Sequence, residues 1–367
     1  MIKFTFLFII FYWLLLNQRD AKAVNRYITI CSILFIMMMG LRNEAIYGDT
    51  YNYVRWFKDL DGYSLKYVFT RFEKDSFFWV VSFYLSNFFN GNYTVWLSLI
   101  AVSFMLPLTK MIRRYSLEPM YSWIVFIFLG FMMFVMAGLR QTVAMSLTLT
   151  GFLIMLDETR TKKKRVLWFV SCVIIASLFH GTALICLLGL FFYKRSFNKA
   201  TLLFYIVTLV SGMILGKTVL NEVASFAGQY DERYLGYVEN MNGASYGYII
   251  QQLFIVLPTL YFLRNNWRNT LVTMFLHFSI LGLLFVSLSP FIAEMFRVSY
   301  YFSWANIILF PMAVKAMRRE ISFAPAIFLF VIIFYLVFIS GSVMQNHYFW
   351  FEDTDSIIKE MYSGNGI

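Results

Sequence analysis

The sequence predicts an all-α fold, a polytopic transmembrane helical bundle of about 12 spans with short cytoplasmic loops and larger external loops. Three observations predict it. Of the 367 residues, 60% are hydrophobic and only 14% charged, where a soluble domain carries about a quarter charged residues. The apolar residues gather into a long series of runs near the length of a bilayer crossing. The excess of Lys and Arg, a formal net charge of +11, falls mostly in short clusters between those runs. That placement encodes topology and does not call for nucleic acid.

In chain order the apolar runs cover 3–16, 27–41, 76–90, 93–109, 120–137, 139–156, 166–180, 182–193, 200–220, 247–263, 271–289, 294–314 and 323–341. The first carries Lys3 ahead of it and Ala21-Lys22-Ala23 behind it, which also spells a cleavable leader. Arg19, Lys22 and Arg26 instead favour a retained first helix with a cytoplasmic loop. Several runs are short, so tilted, half-inserted or merged helices are expected, and His180-Gly181 marks a broken helix pair. No repeat and no low-complexity linker divides the chain, so 1–367 reads as a single integral membrane domain.

Basic clusters stand at 19–26, 110–114, 160–165, 194–199, 264–268 and 315–319. Placing all of them on the cytoplasmic side puts 42–75, 138–141, 180–181, 221–246, 290–297 and the C-terminal tail 342–367 outside. One count conflicts with this scheme. Between the external stretch 42–75 and residue 110 the chain must cross an odd number of times, yet two runs are visible. Either 76–90 or 93–109 is therefore re-entrant or interfacial, and 42–75 is itself a candidate for partial re-entry.

Against that bias, Arg42, Arg140, Arg233 and Arg297 lie at or near external helix ends. A cation at membrane depth costs several kcal/mol unless it snorkels, pairs or meets a ligand. Each has two readings, snorkelling to lipid phosphate or binding an anionic substrate. Arg140-Gln141 opens a helix, a poor place for a cation on dipole grounds. The mismatch resolves when helix N-terminus and guanidinium face one anion, and diphosphate suits the bidentate fork. Gly48 permits a sharp turn before Asp49, and Asp49, Tyr53 and Phe57 then share one helical face. Asp49 and Glu73 are candidate general bases; both also suit simple helix starts. His180 interrupts an apolar stretch, as a hydrogen-bonding residue or as a donor and proton shuttle beside phosphate. Glu294, Arg297 and Tyr301 follow Pro290 on one face, as an ion pair or as part of a site. Asp231, Arg233 and the neighbouring tyrosines suit either a carbohydrate surface or interfacial anchoring.

Cys31, Cys172 and Cys186 lie inside apolar runs without paired spacing and read as small hydrophobes. His180, His277 and His347 are far apart and form no HxxH or HExxH pattern, which argues against metal catalysis through His ligands. No metal and no cofactor is expected.

Arg42 with Gly48-Asp49 and Tyr53, Arg140-Gln141 with Ala144, Phe179-His180 with Ala183-Leu184, and Arg297 with Tyr300 together resemble the EpsG family of bacterial membrane proteins. That family is related to Wzy-type polymerases of O-antigen, capsule and exopolysaccharide. Thr182 stands where the family usually has Ser. The resemblance implies a metal-independent glycosyltransferase on the outer face of the bacterial cytoplasmic membrane. It would transfer a growing glycan from undecaprenyl diphosphate onto a lipid-linked repeat unit, alongside a flippase and a chain-length regulator. Arg42, Arg140, Gln141 and Arg297 would hold diphosphate, and Asp49 heads the candidate bases, followed by His180, Glu73 and Glu294. Tyr53, Asp231, Arg233, Tyr300 and Tyr301 would contact glycan. The alternatives are a flippase of lipid-linked oligosaccharide, a ligase joining finished glycan to another acceptor, and a membrane acyltransferase modifying a surface glycan.

Overall fold

The computed structural model describes residues 2–46, 48–72, 76–228, 246–292 and 294–335. Among these every regular element is helical. In order they are α1 (Ile2–Leu15), α2 (Ala21–Gly40), α3 (Gly48–Asp59), α4 (Leu65–Arg71), α5 (Ser76–Phe88), α6 (Tyr93–Tyr115), α7 (Pro119–Phe128), α8 (Phe131–Ala137) and α9 (Leu139–Met155). They continue with α10 (Lys162–Phe179), α11 (Leu188–Phe192), α12 (Lys199–Gly228), α13 (Gly247–Phe262), α14 (Thr270–Ser287), α15 (Glu294–Ser303), α16 (Asn306–Glu320) and α17 (Ala324–Phe334).

Among the described residues, α2, α6 and α14 are long and apolar enough to cross a membrane, and α7 with α8 passes the same test as a bent pair, the pattern of a broken span or a re-entrant loop. Other expected spans are shorter or split, for local reasons. The run 120–137 breaks because Gly130 sits in the left-handed region at φ 75°, where a side chain is strained. The run 294–314 divides at Trp304, whose indole N–H donates to the Tyr301 carbonyl at 3.0 Å and takes up a last-turn acceptor. The run 182–193 is a 3-10 turn, Gly181–Leu187, followed by the short α11, so the break expected at His180 is present.

The chain forms two compact units. Unit 1 takes Met1–Arg114, Gly130–Leu184 and the chain from Leu329; unit 2 takes Tyr115–Leu129 and Ile185–Phe328.

In unit 1, α9 and α10 form an antiparallel hairpin. Phe152 meets Phe169 with ring centroids 4.9 Å apart, and the buried Arg165 donates to the Met155 carbonyl at 3.4 Å. The start of α9 therefore lies beside the end of α10. The basic clusters gather at the opposite end: Arg113 donates to Thr29 at 2.9 Å, and Arg114 lies 3.8 Å from Asp157. Between these ends run α2 and α6, joined by the Ser32–Thr109 hydroxyl pair at 2.6 Å. At Gly40 an added Cβ would run into Ser98, within 2.8 Å of its Cα, so the absent side chain lets α2 press against α6.

Length separates these two runs. At 1.5 Å per residue, α6 reaches about 35 Å and α5 only about 20 Å, against a hydrocarbon core of about 30 Å. Phe77 near the start of α5 packs edge-on to Phe179 at 5.0 Å, and Ser86 near its end donates to the Phe57 carbonyl at 2.7 Å. Of the two helices, α6 is long and apolar enough to cross, and both contacts hold α5 at the α3 end of unit 1.

Unit 2 packs α7 and α13–α16 around a buried polar network. Asn306 donates to Gln252 at 3.0 Å and accepts from Ser279 at 2.5 Å, while Gln252 donates to Ser303 at 2.8 Å. Every member is buried and paired, which fixes helix register inside an apolar bundle. Pro311 leaves α16 without the N–H that would bond the Ile307 carbonyl, and the Ser122 hydroxyl supplies a donor at 2.8 Å. His277 is a packing residue: its Nδ1 lies 2.8 Å from the Tyr205 hydroxyl, among Phe192 and Phe197. The three cysteines are free thiols, two of them buried.

Candidate functional site

Three helix ends converge in unit 1, and each is short on intrahelical partners. Arg42 follows the C-terminus of α2, where the last carbonyls of the helix have no N–H of their own. Its guanidinium donates to the Met39 carbonyl in that last turn and to the Met136 carbonyl at the end of α8, the latter at 2.7 Å. The same guanidinium reaches the Thr50 hydroxyl at 3.3 Å, and Thr50 in turn donates to the Met136 carbonyl at 2.9 Å. Arg42 is 1% exposed and Thr50 fully buried. One buried cation thus ties the end of α2, the first turn of α3 and the end of α8 together. Arg42 sits as a clamp, beneath the residues it positions.

What it positions is on either side. Asp49 precedes Thr50 in the first turn of α3, exposed, where the helix dipole favours a carboxylate. Arg140 follows Met136 by one turn, in the first turn of α9, half-buried. Its Nε donates to the Tyr53 hydroxyl at 2.8 Å, and its guanidinium carbon lies 5.7 Å from the centre of that ring. Asp49 and Tyr53 are one turn apart on α3, so carboxylate, phenol and guanidinium form a row. Gln141, next to Arg140, is buried.

Behind the row lies an aromatic bed. Tyr53 stacks on Trp79 at 5.6 Å, Trp79 on Phe72 at 4.3 Å, and Trp56 stands edge-on to Trp79 at 5.6 Å. Trp56 remains 39% exposed. The buried residues beneath include Val54, Phe57, Trp96 and Leu139, and Phe179 packs against them. Leu139 adjoins Arg140 and Phe179 adjoins His180, so the hydrophobic cluster also fixes where those two polar residues emerge. His180 is half-buried at the C-cap of α10, with its N–H on the Ala176 carbonyl at 3.0 Å.

A second set from the sequence lies on α15 in unit 2. Arg297 is exposed, its guanidinium carbon 5.8 Å from the Phe296 ring centre, and Glu294 is half-buried at the helix start. Tyr300 donates to the Leu129 carbonyl at 3.0 Å, closing the end of α7, and Tyr301 is fully buried. Both tyrosines are committed to packing in this arrangement. Glu73, Asp231 and Arg233 lie outside the described residues.

Several site residues escaped the sequence reading. Glu44 is buried and pairs with Lys58 at 2.6 Å, and the Lys58 ammonium lies 4.8 Å from the centre of the Tyr93 ring. Nothing in the local pattern distinguishes Thr50 or Trp79 from other helix residues. A signal existed in the density of aromatic residues between 51 and 84, but their partners are set by folding. Among the described residues no group of His, Cys, Asp or Glu is arranged to hold a metal ion.

The arrangement can bind an anion with a fixed guanidinium beside a helix N-terminus, stack a planar or sugar face on tryptophan, and accept a proton on an exposed carboxylate. No curated protein and no solved structure matches the chain. The EpsG family profile matches residues 25–354, spanning every motif that builds this site, and the chain belongs to the EpsG family.

Proposed function

We propose that this chain is a polymerase of surface polysaccharide, acting on repeat units carried by undecaprenyl diphosphate. The observation that carries the reading is the row Asp49–Tyr53–Arg140, with Arg140 fixed by Tyr53 at a helix start and Asp49 exposed one turn away. Membership of the EpsG family supports a role in polysaccharide biosynthesis at a membrane.

In this reading Asp49 takes the proton from a sugar hydroxyl of the incoming repeat unit. The hydroxyl oxygen bonds to the anomeric carbon of the growing chain as that carbon's bond to undecaprenyl diphosphate breaks. The departing diphosphate carries the electron pair, and Arg140 with the α9 N-terminus neutralises its charge. Arg42 holds the framework, Trp56 offers a face to the glycan, and His180 and Gln141 adjoin the same ground. In unit 2, Arg297 and Glu294 offer a further phosphate and acid–base set on α15, where Tyr300 and Tyr301 are buried, and Glu73, Asp231 and Arg233 are further substrate contacts in this reading. The chemistry requires neither metal nor cofactor.

The proposed orientation places the Arg140 end of unit 1 outside the bacterial cytoplasmic membrane and the basic end in the cytoplasm, within a topology of about 12 crossings. The charged row sits at one end of unit 1 and not at its middle, which favours an enzyme over a flippase with a midplane site.

The test is a deletion strain complemented with variants, with surface glycan resolved on gels. Asp49→Asn should abolish polymer, leave single repeat units on the surface and keep protein level normal; polymer of wild-type length eliminates Asp49 as base. Arg140→Lys keeps charge and loses the fork, and unaltered polymer argues against bidentate diphosphate binding. Units trapped on lipid inside the cell would mark a flippase. Chains of full length lacking only a substituent would mark an acyltransferase.

A further inference from the structure

The basic end of unit 1 holds a groove that the polymerase reading does not use. It has a volume of about 370 Å³ and runs between the last turns of α6 and α9. Lys110, Arg113 and Arg114 form one wall, at i, i+3 and i+4 on α6. Thr150, Leu153 and Ile154 form the other, and Asp157 continues their helical face beyond the end of α9.

The charges do not cancel. Asp157 faces three cations in the groove, and it already takes Arg160 at 3.2 Å while Arg114 stands 3.8 Å away. Arg113 is fixed at the groove by its bond to Thr29 at 2.9 Å, which aims a guanidinium without neutralising it. The groove therefore carries net positive charge on one side and methyl groups on the other. It lies at the end of α6, a helix long and apolar enough to cross the bilayer, and so at the depth of lipid headgroups. A free inorganic anion would use the cations and leave the Leu153–Ile154 wall in water. An uncharged lipid would leave the cations unmatched. A headgroup phosphate with an acyl chain descending from it satisfies both walls at once.

We propose that this groove binds an anionic phospholipid, with the headgroup phosphate on Lys110, Arg113 and Arg114 and an acyl chain against Leu153 and Ile154. The bound lipid braces α6 against the α9–α10 hairpin, whose other end presents Arg140 and His180. The site stands independently of the polymerase reading, because its ligand comes from the bilayer.

The experiment uses purified full-length protein in mild detergent, measuring retained lipid by native mass spectrometry and the midpoint of thermal unfolding. Phosphatidylglycerol should remain bound one to one and raise the midpoint by several degrees, while phosphatidylcholine and inorganic phosphate do neither. Lys110→Gln with Arg113→Gln should weaken phosphatidylglycerol retention at least about tenfold, the scale of two lost charge-assisted contacts. Lys163→Gln with Lys164→Gln, in the neighbouring basic run outside the groove, should leave it unchanged. If the first pair fails to fold, Leu153→Trp fills the groove with every cation intact and should remove the adduct. Retention in the groove variants, equal retention of phosphatidylcholine, or full stabilisation by inorganic phosphate alone overturns the proposal.

Discussion

Replacing Arg42 by lysine preserves the charge and removes the fork, and the structure sets the consequence. The native guanidinium serves carbonyls at the ends of two helices, Met39 and Met136, together with the Thr50 hydroxyl. A single ammonium on an unbranched stem cannot span both carbonyls, so one charge-assisted bond is lost in a buried site. Such a bond is worth about 1.5–3 kcal/mol. The Met136 carbonyl keeps the Thr50 hydroxyl at 2.9 Å, which holds the net loss to about 2 kcal/mol. Thr50→Val conserves shape and removes only the hydroxyl; Met136 then keeps Arg42, and the loss is about 1 kcal/mol. Because both donors serve one carbonyl, the double variant strips it bare and should lose about 1 kcal/mol more than the two singles added. At about 1.3 °C per kcal/mol for a chain of 367 residues, Arg42→Lys should lower the unfolding midpoint by about 2–3 °C. The assay is thermal unfolding of the purified full-length protein followed by tryptophan fluorescence, with polymer assayed in cells carrying each variant. Polymer yield should fall with the midpoint, since the clamp places Asp49 and Arg140. An Arg42→Lys midpoint within about 1 °C of wild type, or strict additivity of the pair, would refute the clamp.

Further outcomes follow from other contacts. Ser122→Ala removes a side-chain donor from the Ile307 carbonyl and should cost about 1–3 kcal/mol of stability; adding Pro311→Ala restores a backbone N–H and should recover part of it in the same melting assay. Gly40→Ala should lower the midpoint by forcing α2 from α6, and Ser98→Gly should relieve it only partly, because the Ser98 Cα itself would lie 2.8 Å from the new Cβ. The Glu118 carboxyl is raised by burial and opposed chiefly by Arg318, which donates to it at 2.8 Å. In Arg318→Met that opposition is gone and the folded-state pKa rises further above the unfolded value. Stability should then be greatest below the unfolded carboxylate pKa and decline as pH rises toward the folded one. Glu118→Gln in the same background should flatten the profile, and a pH-independent Arg318→Met melt would contradict the pairing.

Much of this molecule is written locally. Hydropathy and the scarcity of charge sufficed for a helical membrane protein, because desolvating backbone in lipid leaves helices as the solution for such runs. The basic residues Arg113, Arg114 and Arg165, visible as clusters in the sequence, gather at one end of unit 1. Arg42, Asp49, Tyr53, Arg140 and His180 could be singled out because each breaks an apolar pattern. Tertiary structure alone decided which groups Arg42 and Arg140 meet. Arg42 and Met136 are 94 positions apart, and Arg140 and Tyr53 are 87. The acceptor for Arg42 is a main-chain carbonyl, which every residue carries and which no side-chain pattern can flag. The same holds for α5 and α6, both apolar runs in sequence but separated by length and by the contacts that hold α5 at one end of unit 1. Periodicity reports which face a helix buries; it does not report which other helix the face will meet.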